Sequence, residues 1–246
     1  MFNSGAIMDI GVKTYPQNWR YVSRLSRYCD FFEIMAVPDK DYSIFNDIDK
    51  PFTIHAIHSH WGVNLADPKK RKINLLAVKS ADKAARALGA DTIVIHPGHI
   101  ENGMCSEAHS VRFLKKLDSR FIVENMPQLK GGKAHVGSSF DELQRILDET
   151  GKRFCLDFAH ASEYAYAHDM DYARFVKRLM LLKPKYFHVS DTRIGQGVDM
   201  HLHLGDGNLK LGYFLSLVPK RCQMVIENSH DFHKKLKDIE ILRNSH

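Results

Sequence analysis

Short runs of apolar and β-branched residues alternate with helical patterns along the chain. The runs predict eight strands, at residues 6–10, 31–35, 52–57, 92–95, 121–123, 154–156, 186–189 and 223–226. The intervening segments carry helix punctuation. Asp67-Pro68 pairs an N-cap with a proline in the first turn, and Gly89 closes that helix. Ser139-Phe140-Asp141-Glu142 reads as a capping box, followed by apolar Leu143, Ile146 and Leu147 and closed by Gly151. Residues 171–182 and 231–242 form further amphipathic helices, whereas 38–50 is short and weakly periodic.

Strands that alternate with helices imply a parallel sheet with right-handed crossovers, and eight repeats imply closure into a (β/α)8 TIM barrel. The length of 246 residues fits that architecture. No linker or low-complexity tract interrupts the pattern, so residues 1–246 are expected to form a single barrel domain.

Composition adds exclusions. Hydrophobic residues make up 44% and charged residues 26%, which places the chain among ordinary globular proteins. It holds no apolar run of the roughly 20 residues that a membrane span needs. Met1-Phe2-Asn3-Ser4-Gly5 lacks a basic segment leading into a signal core, so the expectation is a cytoplasmic protein. Cys29, Cys105, Cys155 and Cys222 are scattered, which argues against a disulfide framework and against a thiolate zinc site. Cys155 and Cys222 fall in strand-like runs, as inert buried thiols do. The net charge of +6 is compatible with an anionic partner. Much of it sits in helical segments such as Lys69-Lys70-Arg71-Lys72 and Lys234-Lys235-Lys237, where solvated faces are the first reading. Fifteen histidines are less ordinary, and their placement matters more.

The third predicted strand ends in His55-Ala56-Ile57-His58, the fourth in His96-Pro97-Gly98 and the fifth in Glu124-Asn125. Asp157 ends the sixth, with His160 three residues on. His188 lies in the seventh, ahead of Asp199-Met200-His201, and Glu227-Asn228 ends the eighth. One histidine at a strand end is usually structural, and Asp157-x-x-His160 alone could be a helix cap. Six successive strand ends with metal-competent side chains are not explained that way, because the βα loops of a barrel converge on one mouth. Buried carboxylates are costly unless paired or bound to a cation, so their convergence argues for divalent metal. Nitrogen and oxygen donors without sulfur suit zinc, manganese or iron. The repeated phrase Ile122-Val123-Glu124-Asn125 and Val225-Ile226-Glu227-Asn228 gives each carboxylate a following amide that could orient it.

Several stretches resemble the endonuclease IV family (AP endonuclease family 2) within the xylose-isomerase-like superfamily. The resemblance runs from about His55 to Glu227. His58-Ser59-His60-Trp61-Gly62-Val63-Asn64-Leu65 is similar to that family's His-x-x-Tyr-x-Ile-Asn-Leu, and Asp91 to Gly98 to its His-Pro-Gly strand. Asp157-Phe158-Ala159-His160 and Asp199-Met200-His201-Leu202-His203-Leu204-Gly205-Asp206-Gly207 are similar to its Asp-x-x-His turn and Asp-x-His-x-x-x-Gly-x-Gly loop. The resemblance implies up to three divalent ions, zinc foremost and manganese as an alternative. His58, His96 and Glu124 would hold one; Glu124, Asp157, His188 and Glu227 a second; His160, Asp199 and His201 the third. His55 competes with His58 for the first place, and the spacing to Asn64 favours His58. Trp61 and Asn64 are candidate substrate contacts. Departures exist: Gly5-Ala6-Ile7-Met8-Asp9 stands where the family opens with Gly-Ala-His-Val-Ser, and Met126-Pro127-Gln128 replaces its Gly-Gln-Gly.

The implied reaction is in-line hydrolysis of a phosphodiester, with DNA at abasic sites as the family substrate and water acidified by the metals as nucleophile. Four carboxylates against three divalent ions leave a net charge of about +2, suited to a phosphodiester. A sugar isomerase or epimerase with one metal on Glu124, Asp157, His188 and Glu227 is the alternative, at a net charge of about −1. There Glu124 and Glu227 would be paired proton-transfer groups. A third reading is a metal-binding barrel that binds nucleic acid without turnover.

Overall fold

The eight strands pair in chain order, and β1 pairs with β8 to close a parallel barrel. They are β1 (Met8–Thr14), β2 (Phe31–Ala36), β3 (Phe52–Ala56), β4 (Ile93–Ile95), β5 (Phe121–Glu124), β6 (Arg153–Asp157), β7 (Tyr186–Val189) and β8 (Cys222–Ile226). The structure is a computed structural model and describes residues 8–128, 132–196 and 200–245.

Seven strands lie where the apolar runs place them. The first does not. The apolar run covers residues 6–10, but β1 continues through Lys13 and Thr14. The hydrophobic reading ends too early because the mouth end of this strand carries a lysine whose side chain turns into the barrel. Gly11-Val12-Lys13-Thr14 therefore occupies the end of β1, six residues later than the Gly5 register.

The helices are α1 (Trp19–Leu25), α2 (Arg71–Leu88), α3 (Glu107–Leu114), α4 (Phe140–Thr150), α5 (Phe158–Ala167), α6 (Tyr172–Leu179), α7 (Leu211–Leu217) and α8 (Phe232–Arg243). Between β2 and β3 there is a single 3-10 turn, Ser43–Phe45, in keeping with the weak periodicity there. Asp67 caps the start of the α2 segment by accepting from Lys69 N, and Gly89 ends it with φ +64. Ser139 caps α4, while Glu142 reaches back to Ser138 N at 3.2 Å. Asp171 and Asp231 cap α6 and α8. The main core lies between strands and helices, including Val22, Leu25, Ala77, Ala81, Leu143, Ile146, Phe175, Leu179 and Phe214. Among the described residues no helix is long and apolar enough to cross a membrane. All four cysteines are buried and free.

Candidate metal centre

Side chains alternate along a strand, so interior positions of the barrel recur every second residue. Phe31, Val94, Ile122, Cys155, Tyr186 and Val225 pack together as the interior core. Two residues further along each of those strands stand Glu33, His96, Glu124, Asp157, His188 and Glu227. Lys13 from β1 and His55 from β3 complete the set. Each of the eight strands thus sends one charged or imidazole side chain to the mouth.

Glu124 sits at the centre. Its Oε2 faces His55 Nε2 at 3.2 Å and His96 Nε2 at 3.0 Å, while its Oε1 faces His188 Nδ1 at 3.0 Å and His160 Nδ1 at 3.4 Å. Glu227 accepts from Lys13 Nζ at 2.7 Å and lies 3.0 Å from His188 Nδ1 through its other oxygen. Ligand atoms of Glu124, Asp157, His188 and Glu227 all fall within 4.8 Å of one another, as do those of His55, His96 and Glu124. Asp157 combines two roles. Its Oδ1 caps α5 by accepting from His160 N at 2.7 Å, and the carboxylate remains part of the four-residue group.

The donor set fits a divalent ion on a test of tautomers. His55 Nδ1 lies 2.7 Å from Ala56 O, His160 Nδ1 2.9 Å from Asn125 O, and His201 Nδ1 3.1 Å from Glu227 O. A carbonyl oxygen only accepts, so each Nδ1 carries a proton and Nε2 is the ring nitrogen that can ligate. For His55 that nitrogen faces Glu124 Oε2 at 3.2 Å, so a proton or a metal ion stands between the two, and the pair is arranged to take either. His96 Nδ1 is also buried, without a hydrogen-bond partner among the described residues.

Electrostatics agree. Burial alone would raise the Glu124 carboxyl, but the His188 and His96 rings hold it well below the usual carboxylate range. Burial is likewise outweighed at Glu227, by Lys13 and His188. His96 is pushed down to about 4 by burial, with Glu124 opposing, and His58 is lowered by burial and by the neighbouring His96 and His55. These two imidazoles stay neutral, the form that binds a metal. His188 goes the other way. Burial would lower it, but Cys155, Glu33, Glu124 and Glu227 raise it well above the ordinary value.

The remaining expected site residues fall as follows. The ring of His58 lies 4.7 Å from that of His96 and 5.3 Å from that of Trp61, at the outer edge of the cluster, so His55 and not His58 makes the contact with Glu124. Trp61 is half-buried on the same loop. His201 approaches His160 at 6.3 Å between ring centres, and it adopts φ +44. Asp199 lies outside the described residues, as does the Gly5-Ala6-Ile7 part of the opening run. Asn64, expected at the substrate, is instead fully buried: its Oδ1 accepts from Ala66 N and His99 N, and its Nδ2 donates to His99 O. It ties the His58 loop to the His96 loop. Gly98 permits this, since its φ is +110 and a side chain there would press on Asn64 Oδ1. The Asn125 and Asn228 amides do not orient the carboxylates before them. Asn125 joins β5 to β6 through Asp157 N at 2.7 Å and Asp157 O at 3.0 Å, and Asn228 binds Asp238 Oδ2 at 2.9 Å.

Sequence reasoning passes over Lys13 and Glu33. Glu33 had a signal, one acid in the otherwise apolar run Phe31-Phe32-Glu33-Ile34-Met35, spaced two residues from an interior phenylalanine.

Residues 45–225 match the family described as xylose isomerase-like TIM barrel. A protein named "Probable endonuclease 4" from Trichlorobacter lovleyi is 32% identical over 204 residues, covering 72% of this chain and 71% of that protein. One of the same name from Citrifermentans bemidjiense is 31% identical over 220 residues, covering 75% and 76%. Another, from Solibacter usitatus, is 29% identical over 175 residues, 61% of this chain and 60% of that protein, so the matched stretch spans three fifths of that relative. Among solved structures, endonuclease IV from Thermus thermophilus superposes with a TM-score of 0.73 at 20% identity, over 96% of this chain and 98% of that one. A D-tagatose 3-epimerase-like protein gives 0.74 at 20% identity, over 97% of each chain. Identities this low speak for the shared fold.

Proposed function

The chain belongs to the xylose isomerase-like TIM-barrel family, on its endonuclease 4 side, and from that premise we propose that it is a divalent-metal-dependent phosphodiester hydrolase acting on DNA at abasic sites. The observation that carries this reading is the division of Glu124. One carboxylate oxygen faces His55 and His96, and the other faces His188, which Glu227 approaches as well. A carboxylate placed between two sets of donors could serve two ions at once, as a centre of more than one ion would need.

In this reading His96 and Glu124, with His55 or His58, hold one ion. Glu124, Asp157, His188 and Glu227 hold a second, and His160, His201 and Asp199 a third. Zinc suits the nitrogen and oxygen donors, with manganese as the alternative. Ions so held acidify water and neutralise charge developing on phosphate. The protein's own part is geometric. Backbone carbonyls fix the His55, His160 and His201 rings, the Asp157 carboxylate is fixed by its cap on α5, and Trp61 stands at the rim to stack on an exposed base or sugar.

The test is an abasic-site duplex with metal-replete protein and with Glu124→Gln. Nicking by the first and at least a hundredfold less by the second is expected, on the scale of losing a group that stabilises the transition state. A metal-replete protein that leaves the duplex intact would remove the DNA assignment.

One observation favours a second reading. Glu124, Asp157, His188 and Glu227 form a compact group that can hold one ion by itself. A sugar isomerase or epimerase would use it with Glu124 and Glu227 as proton-transfer groups. It predicts one essential ion, deuterium exchange from solvent into a keto sugar, and activity that survives loss of His96 and His201.

A further inference from the structure

We propose that Glu33 and Lys13 are a buried positioning pair for the metal centre: Glu33 aims His188 at the ions, and Lys13 passes from Glu227 to Glu33 when an ion takes Glu227. The inference rests on the metal reading above.

His188 Nδ1 faces Glu124 Oε1 and Glu227 Oε2, each at 3.0 Å, and its Nε2 faces Glu33 Oε2 at 3.0 Å. An ionised carboxylate only accepts, so Nε2 carries a proton and Nδ1 is left to ligate. The other fixed rings, His55, His160 and His201, lean on neutral backbone carbonyls. His188 leans on a charged oxygen, which makes its Nδ1 a stronger donor to a metal. Glu33 cannot swing away. Its Oε2 also accepts from Tyr186 Oη at 2.7 Å, which is in turn 2.7 Å from Thr53 Oγ1.

The other oxygen supplies the second half of the argument. Among the described residues Glu33 Oε1 is buried with no hydrogen-bond partner, and Lys13 Nζ stands 3.8 Å away while bound to Glu227 Oε1 at 2.7 Å. An ion drawing on Glu227 and an ammonium on the same carboxylate repel each other. The vacant acceptor gives Lys13 a place to go after a movement of about an ångström, enough to bring it within hydrogen-bond range. Glu33, His55 and His188 are also close enough to hold an ion themselves. That alternative is disfavoured, because His188 Nε2 and the Tyr186 hydroxyl already use Glu33 Oε2 and the Lys13 ammonium would face the incoming cation.

The experiment uses the full chain, stripped with chelator and titrated with Zn2+ against a chromophoric competitor, with Co2+ ligand-field spectra as a second readout. Glu33→Gln is expected to weaken binding roughly 10–100-fold and to shift the Co2+ bands. Lys13→Met should tighten binding. With Lys13→Met already in place, Glu33→Gln should cost less than it does in the wild type, since no ammonium then waits to be received. Tyr186→Phe, which keeps the ring against Phe31, should weaken binding in the same direction and serves if Glu33→Gln does not fold. Single variants within about twofold of wild type, or effects that merely add, overturn the pair. A wild-type protein that takes up no divalent ion removes the metal reading and this inference with it. Uptake that ignores the variants removes this inference alone.

Discussion

With carboxylate oxygens at both ring nitrogens, His188 is held as an imidazolium until an ion displaces its Nδ1 proton. Burial opposes that charge, and the surrounding Cys155, Glu33, Glu124 and Glu227 outweigh it. Metal loading near neutral pH should therefore release about one proton from this ring. Calorimetric titrations in buffers of different ionisation enthalpy measure the release directly, and affinity should rise with pH. The same raised value bears on folding. The stabilisation from the charged ring is fully present below the ordinary value of 6.5 and is lost as pH climbs through the raised one. Chelator-treated protein should accordingly lose thermal stability on the alkaline side, and Glu33→Gln should flatten that slope. At this scale the acids and histidines of strands three to eight were legible in the sequence, because each stands at or within one or two residues of the place where an apolar run stops. Lys13 and Glu33 were not, since a lysine reads as solvent-facing and an acid inside a strand reads as noise. Spacing to Asn64 favoured His58 over His55; that His55 is the ring in contact with Glu124 required knowing which ring turns inward.

The loop carrying His201 is built by two acids from other elements. Asp191, just past β7, accepts from Thr192 N, Gly205 N and Leu209 N, and Asp238 of α8 accepts from His203 Nδ1 at 2.6 Å, Asn228 Nδ2 at 2.9 Å and Leu204 N at 2.9 Å. Both glycines of the Gly-x-Gly phrase are thereby explained: Gly205 takes φ +90, and a side chain at Gly207 would collide with the Asp191 carboxylate. Gly207→Ala should cost about 1–3 kcal/mol as an overpacked contact and loosen the loop, seen as faster amide exchange at residues 202–209. Asp238→Ala should cost more, about 3–5 kcal/mol by urea unfolding, because it strips three buried donors and the acid that most favours the buried Lys235 ammonium. Burial already pulls that lysine down to about 8. Elements were legible wherever punctuation was local: Asp67 and Ser139 cap the helices they were expected to cap, and Asp171 and Asp231, expected as first helical residues, prove to be the caps. The end of β1 was not, because it is fixed by pairing with β2 and β8 rather than by its own residues.

For the molecule as a whole, alternation of strand and helix was enough to foresee the closed barrel, since few other topologies bury eight parallel strands. Adding Lys13 and Glu33 to the mouth leaves the charge argument where it stood, because the two cancel. The surplus positive charge of +6 then raises the question of whether a polyanion is met. Beside the mouth loop, Gly62, Lys69, Lys70, Lys72, Ile73, Leu76 and Lys79 line one shallow hollow. Lys70 is paired with Glu101 at 2.9 Å, whereas Lys69, Lys72 and Lys79 are exposed. A duplex entering the mouth past Trp61 would lay its backbone against these ammonium groups and release condensed counterions. Lys69→Ala with Lys72→Ala should weaken binding of an abasic-site duplex at low salt and reduce the slope of log affinity against log salt by about 2, one unit for each phosphate left without its lysine. Hydrolysis of a small phosphodiester should be unchanged, because neither lysine touches the metal cluster. A sugar-converting barrel makes the opposite forecast, with both lysines silent toward its small neutral substrate and no steep salt dependence to lose. An unaltered salt slope in the double variant would remove this face from the DNA path while leaving the metal centre untouched.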